Sequence, residues 1–193
     1  MERFQVMYDL LDTTGTFICH ADYREIHYIK VNLDKIFGKK NFLNEIIWAY
    51  DFGARQTKKW ATKHDNLLIY TKSKNYTFNY DEIDRVPYMT KGGLVSKEKL
   101  ERGKTLTDVW WNTIVPTNSE ERVGYPTQKP LKITERLVKV HSNENDNCLD
   151  FFAGSGTFGI ACLKHNRSAT LIDSNEDAVK IIKKRIDSLL TIE

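Results

Sequence analysis

Cysteine is scarce in this chain of 193 residues: Cys19, Cys148 and Cys162 are the only three. Their wide spacing excludes the paired arrangement of a structural metal site, and each lies in or beside an apolar run, which suits reduced, buried thiols. Long apolar runs are missing as well. No stretch approaches the ~20 residues needed to cross a bilayer, and no basic segment followed by an apolar one opens the sequence. No membrane association and a cytoplasmic location are therefore expected. Charge of one sign is also in short supply: 29 Lys and Arg against 26 Asp and Glu leave a formal net charge of +3. A polyanion partner cannot be read from that average and has to be sought in local clusters. Repeats and low-complexity tracts are absent. What remains, 40% hydrophobic and 28% charged, suits one globular α/β domain with an insertion or a second small lobe.

Periodicity places the regular elements. Residues 4 to 11 read as the end of a helix, and Gly15 leads into a short apolar strand ending near His20, with Asp22 at its carboxyl end. Ile26, Ile29, Leu33, Ile36 and Phe37 recur at helical spacing and stop at Gly38. Strands are expected at 44 to 48 and 66 to 70. Residues 75 to 120 mix aromatic and charged residues without period, punctuated by Gly92-Gly93 and Pro116, and read as an irregular lobe. Regular structure returns with a helix from Lys132, a strand ending at Asp150, a helix through about 164, a strand at 169 to 172 and a helix at about 176 to 190. Alternation of this kind predicts an α/β fold with a mostly parallel sheet and helices on both faces.

Cys148-Leu149-Asp150-Phe151-Phe152-Ala153-Gly154-Ser155-Gly156-Thr157-Phe158-Gly159 runs from a strand through a glycine turn into a helix. Such a turn lets the backbone approach a ligand and aims helix N-terminal amides at it. Asp173, closing the next apolar run, can accept hydrogen bonds from ribose hydroxyls. The spacing Gly154-x-Gly156-x-x-Gly159 also matches a dinucleotide fingerprint, and a turn that uses glycine for geometry alone is a third reading. Little chain follows Gly159, and Asp150 would repel a pyrophosphate while it could hold a cationic amino-acid group. S-adenosylmethionine is favoured over NAD, with an NAD-dependent oxidoreductase as an alternative.

Asp150-Phe151-Phe152-Ala153-Gly154-Ser155-Gly156-Thr157 resembles the first motif of amino-group DNA methyltransferases, and Tyr125-Pro126-Thr127-Gln128-Lys129-Pro130 resembles the segment preceding it in their β subgroup. Gly15 to Asp22, Phe37-Gly38, Asn41-Phe42, Asn44 to Trp48 and His64 to Lys72 are similar to further landmarks of that family. The resemblance implies a methyltransferase-like (Rossmann-like) sheet in permuted motif order that binds S-adenosylmethionine and methylates double-stranded DNA, with adenine N6 favoured, in a restriction-modification or orphan setting. It assigns cofactor binding to Thr127, Gln128, Lys129, Pro130, Asp150, Phe151, Phe152, Ala153, Gly154, Ser155, Gly156, Thr157 and Asp173. Asp150 and the backbone of 153 to 156 would face the methionine part, and Asp173 the ribose. Read as residues alone, Gln128 and Lys129 would be a solvated turn before a helix.

Family members carry Asp/Asn/Ser-Pro-Pro-aromatic, which holds the target amine and stacks on the flipped base. That tetrapeptide does not occur here. The nearest approach, Arg85-Val86-Pro87-Tyr88, lacks the acceptor and one proline. In the β arrangement the motif would precede residue 1, so the chain is expected to be N-terminally incomplete, with no catalytic residue of its own and weak or no methyl transfer alone. Unpaired strand edges are a further expectation, as is a second polypeptide or a homodimer that fills the gap. A non-catalytic cofactor- or DNA-binding subunit is the alternative from another class. The expected organisation is 1 to 74 as the catalytic half of the sheet with a basic loop at 51 to 64, 75 to 120 as the target-recognition lobe, and 121 to 193 as the cofactor half.

Between Arg55 and Lys74 six basic residues stand against one acidic residue, Asp65. Arg55, Gln56, Lys58, Lys59, Trp60, Lys63 and His64 are the candidate DNA contacts: lysines for phosphates, the aromatic groups for stacking or wedging, and Arg55 and Gln56 for base edges. A solvated loop is the competing reading. His20, Asp22 and His27 are assigned to a strand end and a helix start, and no metal site is expected.

Overall fold

The computed structural model describes residues 2–89 and 95–191, and the chain divides into two units, Met1–Asn112 and Thr113–Glu193. In the first, α1 (Glu2–Leu10) is followed by β1 (Thr16–Ala21), α2 (Ile26–Phe37), β2 (Phe42–Ala49) and β3 (His64–Thr71). The apolar stripe of α2 ends at Gly38, whose φ of 83° stops the helix while its N–H bonds to the Asp34 carbonyl. That stripe and α1 cover one face of the sheet. Ile26, Leu33, Phe37, Leu68 and Tyr70 form the buried cluster, joined by Phe4, Tyr8 and Phe17. Phe37 is its centre, with ring centroids 5.0 Å from Tyr8, 5.1 Å from Phe17 and 5.2 Å from Tyr70. At the rim the Tyr70 hydroxyl donates to Asp34 at 2.7 Å, and the Lys30 ammonium donates to the same carboxylate at 2.8 Å.

The sheet order is β1-β3-β2-β6, with β6 at Val109–Trp111. β3 is internal and buried from Asn66 to Thr71, which accounts for its nearly continuous apolar run. It pairs antiparallel with both neighbours, and β6 joins β2 in parallel. Residues 50–63, which link β2 to β3, contain no helix, and a loop of that kind suffices for reversal, whereas a parallel pair needs a crossover. The parallel arrangement predicted by alternation is realised in β2–β6 and in the second unit; β3 departs from it. Before β6, β4 (Arg85–Val86) pairs with β5 (Lys104–Thr105), flanking α3 (Lys97–Arg102), which Ser96 caps by accepting from the Lys99 amide. Arg85-Val86-Pro87-Tyr88 lies here, and Gly92-Gly93 falls outside the described residues.

The second unit contains α4 (Leu131–His141), β7 (Asn147–Asp150), α5 (Thr157–Lys164), β8 (Ser168–Leu171) and α6 (Glu176–Leu190). β7 and β8 are parallel neighbours joined through α5, a βαβ unit. α4 packs on α5 through Val138, Ala161 and Cys162. α5 also approaches β8 closely at Gly159, where a Cβ would stand 2.4 Å from a Leu171 methyl. Of the three thiols only Cys162 is fully buried. Cys19 and Cys148 are half-buried, because β1 and β7 are edge strands among the described residues. Desolvation pushes the Cys19 thiol up to about 11. No described helix is long and apolar enough to cross a membrane.

Candidate cofactor site and nucleic-acid interface

The turn between β7 and α5 is held by its backbone amides, which donate to carboxylates and to main-chain carbonyls. Phe152 N–H donates to the Asp150 carboxylate at 2.9 Å, Ala153 N–H to the Ile172 carbonyl at 3.0 Å, and Gly156 N–H to the Ala153 carbonyl at 2.7 Å. Gly154 and Gly156 hold φ of 51° and 73°, the left-handed region. Two side chains show why glycine is required as well as favoured. A Cβ at Gly156 would stand 2.7 Å from Ile182 Cγ1, and one at Gly154 would stand 3.1 Å from the Tyr125 ring. Tyr125 thus brings the Tyr125-to-Pro130 segment against the turn, an adjacency that sequence spacing alone could not supply.

Two carboxylates converge at the carboxyl ends of the parallel strands. Asp173 accepts from Gly154 N–H at 2.7 Å with one oxygen and from Asn175 N–H at 2.9 Å with the other. Asp150 is raised above the ordinary carboxylate range, chiefly by burial and further by the negative charge of Asp173, against the opposing pull of Phe152 N–H and Lys129. A cation placed beside Asp150 would relieve that cost, whereas a pyrophosphate would increase it. Ala153, Ser155 and Thr157 are buried, and the Ser155 and Thr157 hydroxyls lie 3.0 Å apart. Phe152 is 62% exposed beside the turn.

The Thr127-to-Pro130 segment is held from within. The Gln128 side chain donates to the Glu121 carbonyl at 2.7 Å and accepts from Val123 N–H at 2.9 Å. Its amide is therefore engaged in shaping the loop. Lys129 reaches the Thr127 carbonyl at 3.1 Å and acts on Asp150 through its charge. Glu121 satisfies Leu131 N–H at 2.7 Å, taking the capping role that Pro130 cannot perform. Sequence reasoning missed Glu121. It also missed Arg185, which donates to the Ser155 carbonyl at 2.7 Å and to the Thr157 hydroxyl at 3.0 Å. The available signal for Arg185 was a cation on the helix face that also carries the buried Ala178 and Ile182.

In the first unit the loop at 50–63 presents Arg55, Gln56, Lys58, Lys59 and Trp60 to solvent, with Trp60 97% exposed. Arg55 is partnered by Asp51 at 2.8 Å. Lys63 is half-buried and donates to the Phe52 and Gly53 carbonyls, so it ties the loop together. His64 opens β3. At the carboxyl end of β1, His20 Nε2 lies 3.0 Å from an Asp65 oxygen, and the Tyr50 hydroxyl donates to the other at 3.1 Å. Burial, then the charge of Asp65, pushes Tyr50 up to about 12. Among the described residues no group of three His, Cys, Asp or Glu side chains could hold a metal ion.

A sequence profile described as DNA methylase, of the N6/N4 methyltransferase type, matches residues 1–184. The type II methyltransferase M.HpaI of Haemophilus parainfluenzae is 35% identical over 188 residues, covering 97% of this chain and 58% of its own length. The DNA adenine methyltransferase YhdJ of Escherichia coli (strain K12) is 30% identical over 186 residues, covering 92% of this chain and 62% of its own length. The chain thus spans less than two thirds of either relative. Among solved structures, the M1.HpyAVI-SAM complex matches with a TM-score of 0.69 at 24% identity, over 96% of this chain and 80% of that one. The cytosine-N4-specific PvuII DNA methyltransferase matches with a TM-score of 0.67 at 11% identity, over 94% of this chain and 73% of that one. At those identities the two structures speak to the fold, whereas the profile spans nearly the whole sequence: the chain belongs to the N6/N4 DNA methylase family.

Proposed function

We propose that the second unit binds S-adenosylmethionine, and that the chain is part of a site-specific, adenine-N6-directed DNA methyltransferase of the restriction-modification type acting in the cytoplasm. One observation carries the cofactor assignment: a glycine turn flanked by two carboxylates, of which Asp150 is destabilised as an anion by burial and by Asp173. That environment suits the cationic amino-acid end of S-adenosylmethionine and disfavours NAD. When bound, the cofactor supplies an activated methyl group for an exocyclic amine. Asp150 would hold the α-amino group by charge, and the amides at the start of α5 would receive its carboxylate. Asp173 would accept from the ribose hydroxyls with lone pairs that its bonds to Gly154 and Asn175 leave open. Adenine is the preferred target base by analogy with YhdJ.

The exposed loop at 50–63 is the proposed contact with double-stranded DNA. Lys58 and Lys59 would neutralise phosphates without reading sequence, while Gln56 and Arg55, once released from Asp51, can address base edges. No Asp/Asn/Ser-Pro-Pro-aromatic tetrapeptide occurs in the 193 residues, so nothing in the chain is assigned to hold the target amine. A second reading is that the chain is a cofactor- and DNA-binding subunit that works with another polypeptide. Calorimetric titration with S-adenosylmethionine and NAD side by side tests the cofactor; binding of NAD alone would overturn it. Labelled-methyl incorporation into DNA, with and without a separately expressed segment bearing the tetrapeptide, separates the two readings of activity. Weak transfer alone and restored transfer on mixing are expected, whereas efficient transfer by the isolated chain would refute the need for a partner.

A further inference from the structure

We infer that Arg185 is a positioning residue for the cofactor turn, holding Ser155 and Thr157 in the arrangement that receives the amino-acid end of S-adenosylmethionine. The inference rests on the cofactor assignment above and adds a residue from outside both sequence motifs. On α6, Ala178, Ile182 and Arg185 share one face, and the first two are buried. A guanidinium on such a face is costly unless its donors find acceptors. One nitrogen, Nη1, finds two: the Ser155 carbonyl at 2.7 Å and the Thr157 hydroxyl at 3.0 Å. Burial lowers the affinity of Arg185 for its proton, and the negative charge of Glu121 opposes that shift. Glu121 in turn satisfies the first amide of α4, at Leu131.

The consequence falls on the turn itself. The Ser155 carbonyl belongs to the same peptide group as the Gly156 N–H, which closes the turn on Ala153 at 2.7 Å. A charged donor on that carbonyl polarises the peptide and strengthens its N–H as a donor. Thr157 opens α5, where the first-turn amides have no partner within the helix. Arg185 therefore fixes the end of the turn that leads into α5 and is assigned to the methionine part, while Asp173, assigned to the ribose, is held separately by Gly154 N–H.

This division of labour is testable with two ligands. 5′-Methylthioadenosine carries the adenosine half of S-adenosylmethionine and lacks its amino-acid end. Titration of the full chain and of Arg185→Ala should show S-adenosylmethionine weakened about tenfold or more, with methylthioadenosine changed by less than about twofold. Arg185→Gln, which keeps an amide donor, should recover part of the loss. Should Arg185→Ala prove unfolded by circular dichroism, Arg185→Gln carries the same comparison with a smaller difference. Unchanged S-adenosylmethionine affinity, or equal weakening of both ligands, would overturn the positioning role. Failure of the unsubstituted chain to bind S-adenosylmethionine would instead remove the cofactor assignment on which it rests.

Discussion

Glycine at 156 answers two separate demands, and substitution can measure each. Gly156→Ala forces a Cβ onto a residue at φ 73° and drives that carbon to 2.7 Å from Ile182 Cγ1. Left-handed backbone costs a non-glycine residue about 1–2 kcal/mol, and overpacking of a filled site costs about 1–3 kcal/mol. Together they come to about 2–5 kcal/mol. Two other glycines of the same unit isolate the parts. Gly124 has φ 81° but open space around it, so Gly124→Ala should show backbone strain alone, about 1–2 kcal/mol. Gly159 lies within α5 and is not left-handed, but its added carbon would meet a Leu171 methyl at 2.4 Å. There the clash of about 1–3 kcal/mol is offset by about 1 kcal/mol of improved helix propensity.

The expected order of destabilisation is therefore 156 first, with 124 and 159 behind it. Urea denaturation followed by far-UV circular dichroism is the suitable assay, because Trp48, Trp60, Trp110 and Trp111 all lie in the first unit and tryptophan fluorescence would report only there. A double-mutant cycle with Ile182→Ala sharpens the test. Ile182→Ala alone should cost about 2–5 kcal/mol as a cavity in a buried site. The double variant should cost less than the sum by about 1–3 kcal/mol, since the methyl group added at position 156 refills the space left by the shortened side chain. An additive cycle, or Gly156→Ala no worse than Gly124→Ala, would refute close packing of α6 against the turn.

Two shorter predictions address the first unit. Replacing Lys58 and Lys59 by Ala should lower the slope of log affinity for DNA against log salt by about 2, one for each lost phosphate contact, and an unchanged slope would remove them from the interface. Asp34 is pushed up by burial but pulled down further by the Lys30 and Tyr70 hydrogen bonds, so its carboxyl lies below the ordinary 3.8. A depressed carboxyl stabilises the fold at neutral pH and loses that contribution as pH falls through its folded value. Tyr70→Phe should therefore be less stable than the parent at neutral pH and show a smaller further loss between about pH 6 and about pH 3; parallel stability curves would count against the coupling.

How much of this could be read from sequence depended on whether the cause was local. The stripe from Ile26 to Phe37 with Gly38 behind it is a helix whose period and stop lie within the same short segment. The run at 66 to 70 likewise became the buried centre of β3. Direction was less accessible: β3 reads as another apolar strand in an alternating series, and the helix-free link before it is the only trace of its reversal.

The candidate cofactor site divides along the same line. Gly154 and Gly156 were visible because their constraint is backbone geometry carried in the residue type. Gln128 stood out only through family resemblance, and its amide bonds to 121 and 123 have no periodic signature. Arg185 is the extreme case, since the atoms it serves lie 28 and 30 residues away along the chain. What betrays such a residue is a mismatch: a cation on a buried helix face must have acceptors there, or the helix would not pack that way.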